Sequence, residues 1–195
     1  MNIIEIFTKS LFLIISFDSD LWEIIILSLY VSISALIIAS ILGLLIGYYI
    51  ALKKFLFKSF ILIVLNSLMG IPPVVVGLIV YFLFASGGPL GVLQLLYTPT
   101  AMIIAQVIII FPIVTSISHE IFDQNWREYK DQLRSINMPF FGIAFIITKH
   151  SYFLVITALL SAFGRAISEV GAVMIVGGNI DHFTRVMTTA ISLET

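Results

Sequence analysis

Long apolar runs separated by short polar stretches dominate the chain, and this pattern is typical of a helical membrane protein. An apolar run of about 20 residues is long enough to cross the hydrocarbon core of a bilayer as a helix. Runs of this length lie at about residues 22–52, 59–85, 98–117 and 151–176. The pattern predicts an all-α, polytopic helical bundle in which these runs are the visible membrane spans.

The segments around the runs predict how the chain is organised. Residues 1–20 are apolar in part but too short to span, and Lys9 interrupts them, which favours an interfacial helix. Asp20, with Glu23 three positions later, has the spacing of a helix N-cap. Residues 21–195 then form one transmembrane domain.

Glycines inside the first run predict a close helix contact. Gly43 and Gly47 are separated by three residues, so they lie on one face of a helix. Small residues at this spacing let two backbones approach each other in a membrane. We therefore expect another helix to pack against this face.

The basic residues predict the orientation of the spans. Lys and Arg number three in residues 53–58 and four in residues 118–150, against none in residues 86–97 and one in residues 177–195. Cytoplasmic loops carry the excess of Lys and Arg. Residues 53–58 and 118–150 are therefore predicted to be cytoplasmic, and the other two segments to lie outside.

Composition narrows the classes of protein that remain. Hydrophobic residues make up 60% of the chain and charged residues 11%, whereas soluble domains carry about 25% charged residues. The net charge of −1 and the absence of a basic face give no reason to expect a nucleic-acid partner. The chain has no cysteine, and its three histidines show no ligand spacing, so we predict no metal and no cofactor. A phosphate-binding loop is also absent, so the chain is not predicted to be an enzyme.

The most informative charges lie inside the fourth run. Arg165 and Glu169 are four residues apart, so they share one helix face and can pair. A charge at the middle of a membrane costs about 2.5–3.5 kcal/mol on insertion scales, and such residues are usually paired or functional. The pair indicates either a substrate or gating element of a transport path, or an ion pair that locks helices together.

Two consecutive prolines lie at the centre of the second run. Pro72 and Pro73 lack a backbone N–H and clash with the carbonyls four residues earlier, so the helix must break or kink there. Backbone freed at membrane depth is tolerated only against protein or a water-filled cavity. The motif favours a transport path or gate, with Asn66 and Ser67 as unwound neighbours, but a simple packing kink is the alternative.

The polar stretch 118–150 is the best surface for a cytoplasmic partner. Met138, Phe140 and Phe141 follow a turn beside a proline, and exposed aromatics of this kind indicate a docked protein. The alternative is an amphipathic helix on the lipid surface.

These features occur in an order that resembles a known family. The specific part is Phe163-Gly-Arg-Ala-Ile-Ser-Glu-Val-Gly-Ala172 followed by Gly177-Gly-Asn-Ile180. Further matching segments are residues 29–35, 68–77, 88–91, 97–106 and 188–195. The chain resembles the membrane permease subunit of bacterial ABC importers of the molybdate, sulfate and tungstate class, and among these the tungstate permeases most closely.

The resemblance implies a division of labour between several proteins. It implies a homodimer of permeases in the bacterial cell membrane, surrounded by lipid, with two cytoplasmic ATPase subunits and an extracytoplasmic oxyanion-binding protein. The family couples to its ATPase through a cytoplasmic loop with the pattern Glu-Ala-Ala, three residues, then Gly. Here that pattern falls on Asp131-Gln-Leu133 and Asn137, a degraded match in which Asn can still adopt a left-handed turn. The family also continues into a further membrane helix, so we expect the native protein to extend beyond Thr195.

The resulting hypothesis is a permease of an ATP-driven tungstate importer. Its alternatives are a molybdate or sulfate permease and, more distantly, a membrane scaffold subunit without a transport path, which an adjacent ATPase gene would disfavour. The predicted path or gate residues are Asn66, Ser67, Pro72, Pro73, Arg165, Glu169, Gly177, Gly178 and Asn179. The predicted ATPase-coupling residues are Leu133, Arg134, Ser135, Ile136, Asn137, Met138, Phe140 and Phe141.

Overall fold

The computed structural model describes residues 8, 12, 14–16, 18–135 and 137–194, without the side chains of Arg134, Phe140 and Glu194. These residues contain helices and no strand. The helices are α1 (Ser19–Leu52), α2 (Lys58–Met69), α3 (Pro73–Phe84), α4 (Pro99–Ser135), α5 (Phe140–His150), α6 (Tyr152–Ile167), α7 (Gly171–Gly177) and α8 (Met187–Glu194), with a 3-10 turn at Gly91–Leu93. Among these residues, α1 and α4 are long and apolar enough to cross a bilayer, and two bent helix pairs raise the number of possible crossings to four. The predicted all-α, multi-span architecture is confirmed.

The first helix matches the first predicted span but begins with a different cap. Asp18, not Asp20, is the N-cap, because its carboxylate accepts a hydrogen bond from the Leu21 backbone N–H at 3.1 Å. Asp20 lies inside the first turn instead. A capping side chain must precede the helix to reach an N–H that has no partner within it. Most of residues 1–20 lie outside the described part of the chain, so the interfacial helix stays a prediction.

The second predicted span is not one straight helix. α2 and α3 meet at a bend of 99°. Pro72 has extended angles, φ −60° and ψ 129°, because the ring of Pro73 disfavours helical angles in the residue before it. Pro73 is the first residue of α3, where a missing N–H costs little. The prolines therefore redirect the chain, which is a larger change than a packing kink.

The third predicted span, residues 98–117, is only the first part of a longer helix. α4 has 37 residues and is about 56 Å long at 1.5 Å per residue, whereas the hydrocarbon core is about 30 Å thick. Its second part covers much of the polar stretch 118–150, and α5 covers most of the rest. Residues 118–135 and 140–150 of this stretch are therefore helical. Its buried Phe122 and Leu133 show that the polar sequence hides one apolar face.

The fourth predicted span is interrupted as well. α6 ends at Ile167 and α7 begins at Gly171, and a bend of 81° separates α5 from α6. The Glu169 carboxylate accepts a hydrogen bond from the Ala172 N–H at 3.1 Å. This bond satisfies an N–H in the first turn of α7, where the helix itself offers no acceptor. Arg165 and Glu169 therefore lie on the two sides of a helix end, and not on one continuous helix as predicted.

Two groups of buried side chains form the core. The first joins α1, α3, α4, α6 and α7 and includes Val80 and Ile110. The second lies towards the predicted cytoplasmic end and includes Phe122, Leu133 and Ile147. Because α4 contributes to both groups, it is the element around which the other helices are arranged.

The glycine pair in α1 packs against α4, as predicted. A Cβ on Gly43 would lie 2.8 Å from Val114 Cγ1. A Cβ on Gly47 would collide with Ser118 Oγ and would lie 2.9 Å from the Thr115 carbonyl oxygen. The two backbones are thus close enough that only glycine fits at Gly47.

We expect Gly47→Ala to lower the thermal unfolding midpoint of the purified protein and Gly164→Ala to leave it unchanged or raise it. Overpacking costs about 1–3 kcal/mol, whereas Ala in place of Gly inside a helix gains up to about 1 kcal/mol. Gly164 is the matched control, because a Cβ there would meet no atom within 4 Å. The measurement is fluorescence-detected size-exclusion after heating in detergent. Equal midpoints for the two variants would contradict the close packing of α1 on α4.

Candidate functional site

An apolar groove lies beside the bend between α2 and α3. Its volume is about 440 Å³, and α1, α3 and α4 supply much of its lining. The lining includes Ile46, Met69, Ile71, Phe111, Pro112 and Arg165. Among the described residues that line it, Arg165 is the one charged residue, and the other side chains are apolar. An ion inside this groove would therefore meet a single strong hydrogen-bond donor.

The predicted pair of Arg165 and Glu169 forms. Arg165 Nη1 donates to Glu169 Oε2 at 2.8 Å, and the two side chains are 36% and 4% exposed. The second oxygen of Glu169 accepts from Ala172, and the Glu169 carbonyl accepts from the Thr188 hydroxyl at 2.8 Å. Glu169 is therefore held on several sides, and it anchors the guanidinium at the edge of the groove.

A buried amide supports the helix end between these two residues. Gln106 Nε2 donates to the Ala166 carbonyl at 3.0 Å across 60 residues of chain. That carbonyl belongs to the last turn of α6, where carbonyls lose their helical partners. Gln106 is not among the predicted site residues. The available signal was a single amide inside an otherwise apolar run.

A second, more polar cavity lies next to the groove, towards the predicted cytoplasmic side. This vestibule has a volume of about 900 Å³ and shares Met69 with the groove. Asn66 lines it, and Asn66 Oδ1 accepts a hydrogen bond from Ser116 Oγ at 2.9 Å. Ser67 is exposed and donates to the Ile63 carbonyl of its own helix at 2.8 Å. Asn66 and Arg165 thus line two neighbouring cavities that share Met69.

The predicted outer residues lie elsewhere. A Cβ on Gly177 would lie 2.9 Å from Met102 Sδ, and Gly178 has a left-handed φ of 71° next to the Tyr97 ring. Asn179 also has a positive φ of 49°, and its side-chain amide has no hydrogen-bond partner among the described residues. None of Gly177, Gly178 and Asn179 lines the groove or the vestibule. They close the end of α7 against the segment that precedes α4.

The chain after α7 is tied to the start of α1. His182 Nδ1 lies 2.9 Å from Glu23 Oε2, and the hydrogen bond to Glu23 together with the charge of Asp181 raises the pKa of His182. Arg185 pairs with Asp181 at 3.0 Å. These contacts are on the predicted outer side, away from the groove.

We call residues 133–141 the coupling segment. Its predicted contact residues differ in how far they are buried. Leu133 is 6% exposed and Met138 is partly buried against the same core, so these two support the segment from inside. Asn137 is exposed and has the predicted left-handed φ, at 48°. Ser135 donates to the Gln132 carbonyl at 2.7 Å. Ile136 and the side chains of Arg134 and Phe140 lie outside the described part of the chain.

Two aromatic side chains project from α5. Phe141 is 81% exposed and Phe145 is 68% exposed, while Ile143 and Ile147 of the same helix are buried. Residues four apart lie on one helix face, so the two rings share the surface opposite the core. Phe141 is among the predicted coupling residues, whereas Phe145 is not. The missing information was that residues 140–150 are helical.

Comparison with known proteins places these features in a family. The model of the binding-protein-dependent transport system inner membrane component matches residues 39–194. The tungstate uptake system permease protein TupB of Peptoclostridium acidaminophilum is 39% identical over 191 residues, which are 98% of this chain and 84% of that protein. TupB of Campylobacter jejuni is 34% identical over 189 residues, which are 97% of this chain and 79% of that protein.

Proposed function

The chain belongs to the family of binding-protein-dependent transport system inner membrane components, and on that premise we propose that it is the permease of a tungstate importer. Support for the substrate comes from two relatives that align over nearly the whole chain and carry the name of tungstate uptake permeases. ATP hydrolysis belongs to a separate subunit in such systems, so this chain is not an enzyme. It is a multi-pass protein of the inner membrane.

We assign one wall of the transport path to the groove and the vestibule. The observation that carries this assignment is Arg165, a charged side chain that faces an apolar groove and is held by the buried carboxylate of Glu169. Intramembrane charges that face a cavity mark ion pathways. Met69 lines both cavities.

The chemistry of the groove suits a divalent tetrahedral oxyanion. Such an ion needs N–H donors, but a site that binds too tightly would block release. Arg165 carries several N–H donors, and Glu169 occupies one nitrogen and offsets the charge. The pair therefore offers hydrogen bonds to the oxyanion with little net electrostatic attraction, which favours release of the ion over tight binding.

The proline bend is the proposed gate. Pro72 and Pro73 set the angle between α2 and α3, and the bend places Ile71 and Met69 in the groove. A change in this angle would widen or narrow the passage without breaking a helix. Asn66 and Ser67 lie on the α2 side of the bend, and Gly177, Gly178 and Asn179 hold the outer end of α7.

The proposed assembly contains more than this chain. A second copy supplies the opposite wall of the path. Two cytoplasmic ATPase subunits contact the coupling segment, and an extracytoplasmic binding protein delivers the oxyanion to the outer face. Membrane lipid covers the remaining apolar surface, which includes Ile33, Ile37 and Ile41 of α1.

The experiment that tests this function is cellular tungsten and molybdenum by elemental mass spectrometry. A strain that lacks the gene is compared with one that carries the full-length gene, at trace supply of each metal. We expect restored tungsten with unchanged molybdenum. Restoration of both would support an oxyanion permease whose selectivity lies in the binding protein, since tungstate and molybdate are nearly isosteric. Restoration of neither would favour sulfate or a scaffold without a path.

A further inference from the structure

Two polar contacts tie the short helix α2 to the long helix α4. Lys58 is the first residue of α2, and its Nζ lies 3.2 Å from Asp123 Oδ1 of α4. Asn66, two turns further along α2, accepts a hydrogen bond from Ser116 of α4. At 1.5 Å per residue the contacts are separated by about 12 Å along α2 and about 11 Å along α4, so the antiparallel helices are held at two matched points.

Apolar packing contributes little to the position of α2. Leu65 is its one buried residue, while Phe60, Ile63 and Leu68 are exposed. A helix with so few buried side chains can change its position when its attachments change. The two polar contacts are therefore the main features that fix α2 relative to α4.

Lys58 also joins α2 to the end of α1. Its Nζ donates to the Ala51 carbonyl at 3.3 Å, in the last turn of α1, where carbonyls have no helical partner. The second oxygen of Asp123 pairs with Arg127 at 2.7 Å, but this contact stays within α4. One carboxylate thus carries a contact between helices and a contact within a helix.

We propose that Lys58 is a positioning residue that transmits motion of the ATPase to the gate. The inference rests on the proposed function. α4 leads without interruption to the coupling segment, and α2 leads to the bend at Pro72 and Pro73. When the coupling segment moves, Asp123 moves with α4, Lys58 follows Asp123, and α2 changes its angle at the bend.

The test is the number of tungstate ions taken up per ATP hydrolysed by the complete transporter in proteoliposomes. We expect Lys58→Met to lower this ratio at least fivefold, with the rate of ATP hydrolysis within about twofold of the unaltered complex. Lys58→Arg should restore most of the ratio, because a guanidinium can reach both acceptors. The matched control is Lys54→Met, which removes a positive charge at an exposed position of the same short turn and should leave the ratio within about 1.5-fold.

Several outcomes would overturn the proposal. An unchanged ratio in Lys58→Met would do so, and so would an equal fall in Lys54→Met. If Lys58→Met does not assemble, Ser116→Ala removes the second contact at a half-buried position, and an unchanged ratio in that variant would count against the tether. Failure of the function is distinguishable from failure of the tether. An unaltered complex that hydrolyses ATP but moves no tungstate, molybdate or sulfate would overturn the proposed function, and the inference with it.

Discussion

Tungstate uptake is expected to fall by about tenfold to a hundredfold when Arg165→Met and Glu169→Gln are combined, with membrane abundance unchanged within about twofold. A hydrogen bond to a charged group contributes about 1.5–3 kcal/mol, and each 1.36 kcal/mol corresponds to a factor of ten. The loss of the guanidinium removes the one charged donor of the groove. Met keeps an apolar stem of similar length, so the shape of the wall is retained.

The double substitution separates transport from stability. Removal of one partner of a buried ion pair costs about 3–5 kcal/mol, because the other charge is left unpaired, whereas neutralising both is often tolerated. Glu169 is 4% exposed, and Arg165→Met alone would leave its charge buried and without Arg165 as its partner. Gln at position 169 still offers an oxygen to the Ala172 N–H, so the start of α7 keeps its cap.

Single substitutions give the direction of the effect. Arg165→Lys keeps a positive charge beside Glu169 and is expected to retain part of the uptake. Glu169→Ala is expected to reduce uptake more than it reduces membrane abundance. The measurements are tungsten accumulation by elemental mass spectrometry and abundance by quantitative blotting of membranes. Equal losses of uptake and abundance in all variants would leave the pair with a structural role only.

Binding of the ATPase is expected to be lost when the two exposed rings of α5 are removed together, as Phe141→Ala with Phe145→Ala. Aromatic anchors at the centre of an interface typically cost about 2 kcal/mol or more on truncation, which is about 30-fold in affinity for each ring. The rings lie on the face of α5 opposite Ile143 and Ile147, so their removal leaves the core of the protein intact. The measurement is a titration of the purified ATPase against the permease in detergent.

A ring of equal exposure elsewhere provides the control. Phe153 in α6 is 68% exposed, the same as Phe145, but it lies in the fourth predicted span and not in α5. Phe153→Ala should leave ATPase affinity unchanged. The Phe141→Ala, Phe145→Ala variant could instead bind the ATPase normally while α5 loses its contact with lipid. In that case the amphipathic-helix alternative is correct and the proposed interface is wrong.

The types and spacing of neighbouring residues made the bend and the ion pair predictable, but not how the helices around them pack. The clash of Pro72 and Pro73 with the preceding turn is a property of neighbouring residues, so a break in the second run could be predicted from the sequence. Its 99° angle could not, because the angle depends on how α2 and α3 pack against other helices. The helical structure within residues 118–150 was likewise not predictable from the sequence. Polar residues in 118–150 indicated a loop, but burial of Phe122 and Leu133 keeps α4 helical to Ser135.

The sequence by itself determined the membrane class, the approximate spans, the break at the prolines and the pairing of Arg165 with Glu169. These depend on residue type and short-range spacing, since hydrophobic length, missing N–H groups and helical periodicity are local. Only the tertiary structure decided that Arg165 faces a groove, that Gln106 supports Ala166, and that Lys58 meets Asp123 across 65 residues. Such contacts depend on where separate helices cross, and the spacing of residues along one helix does not fix those crossings.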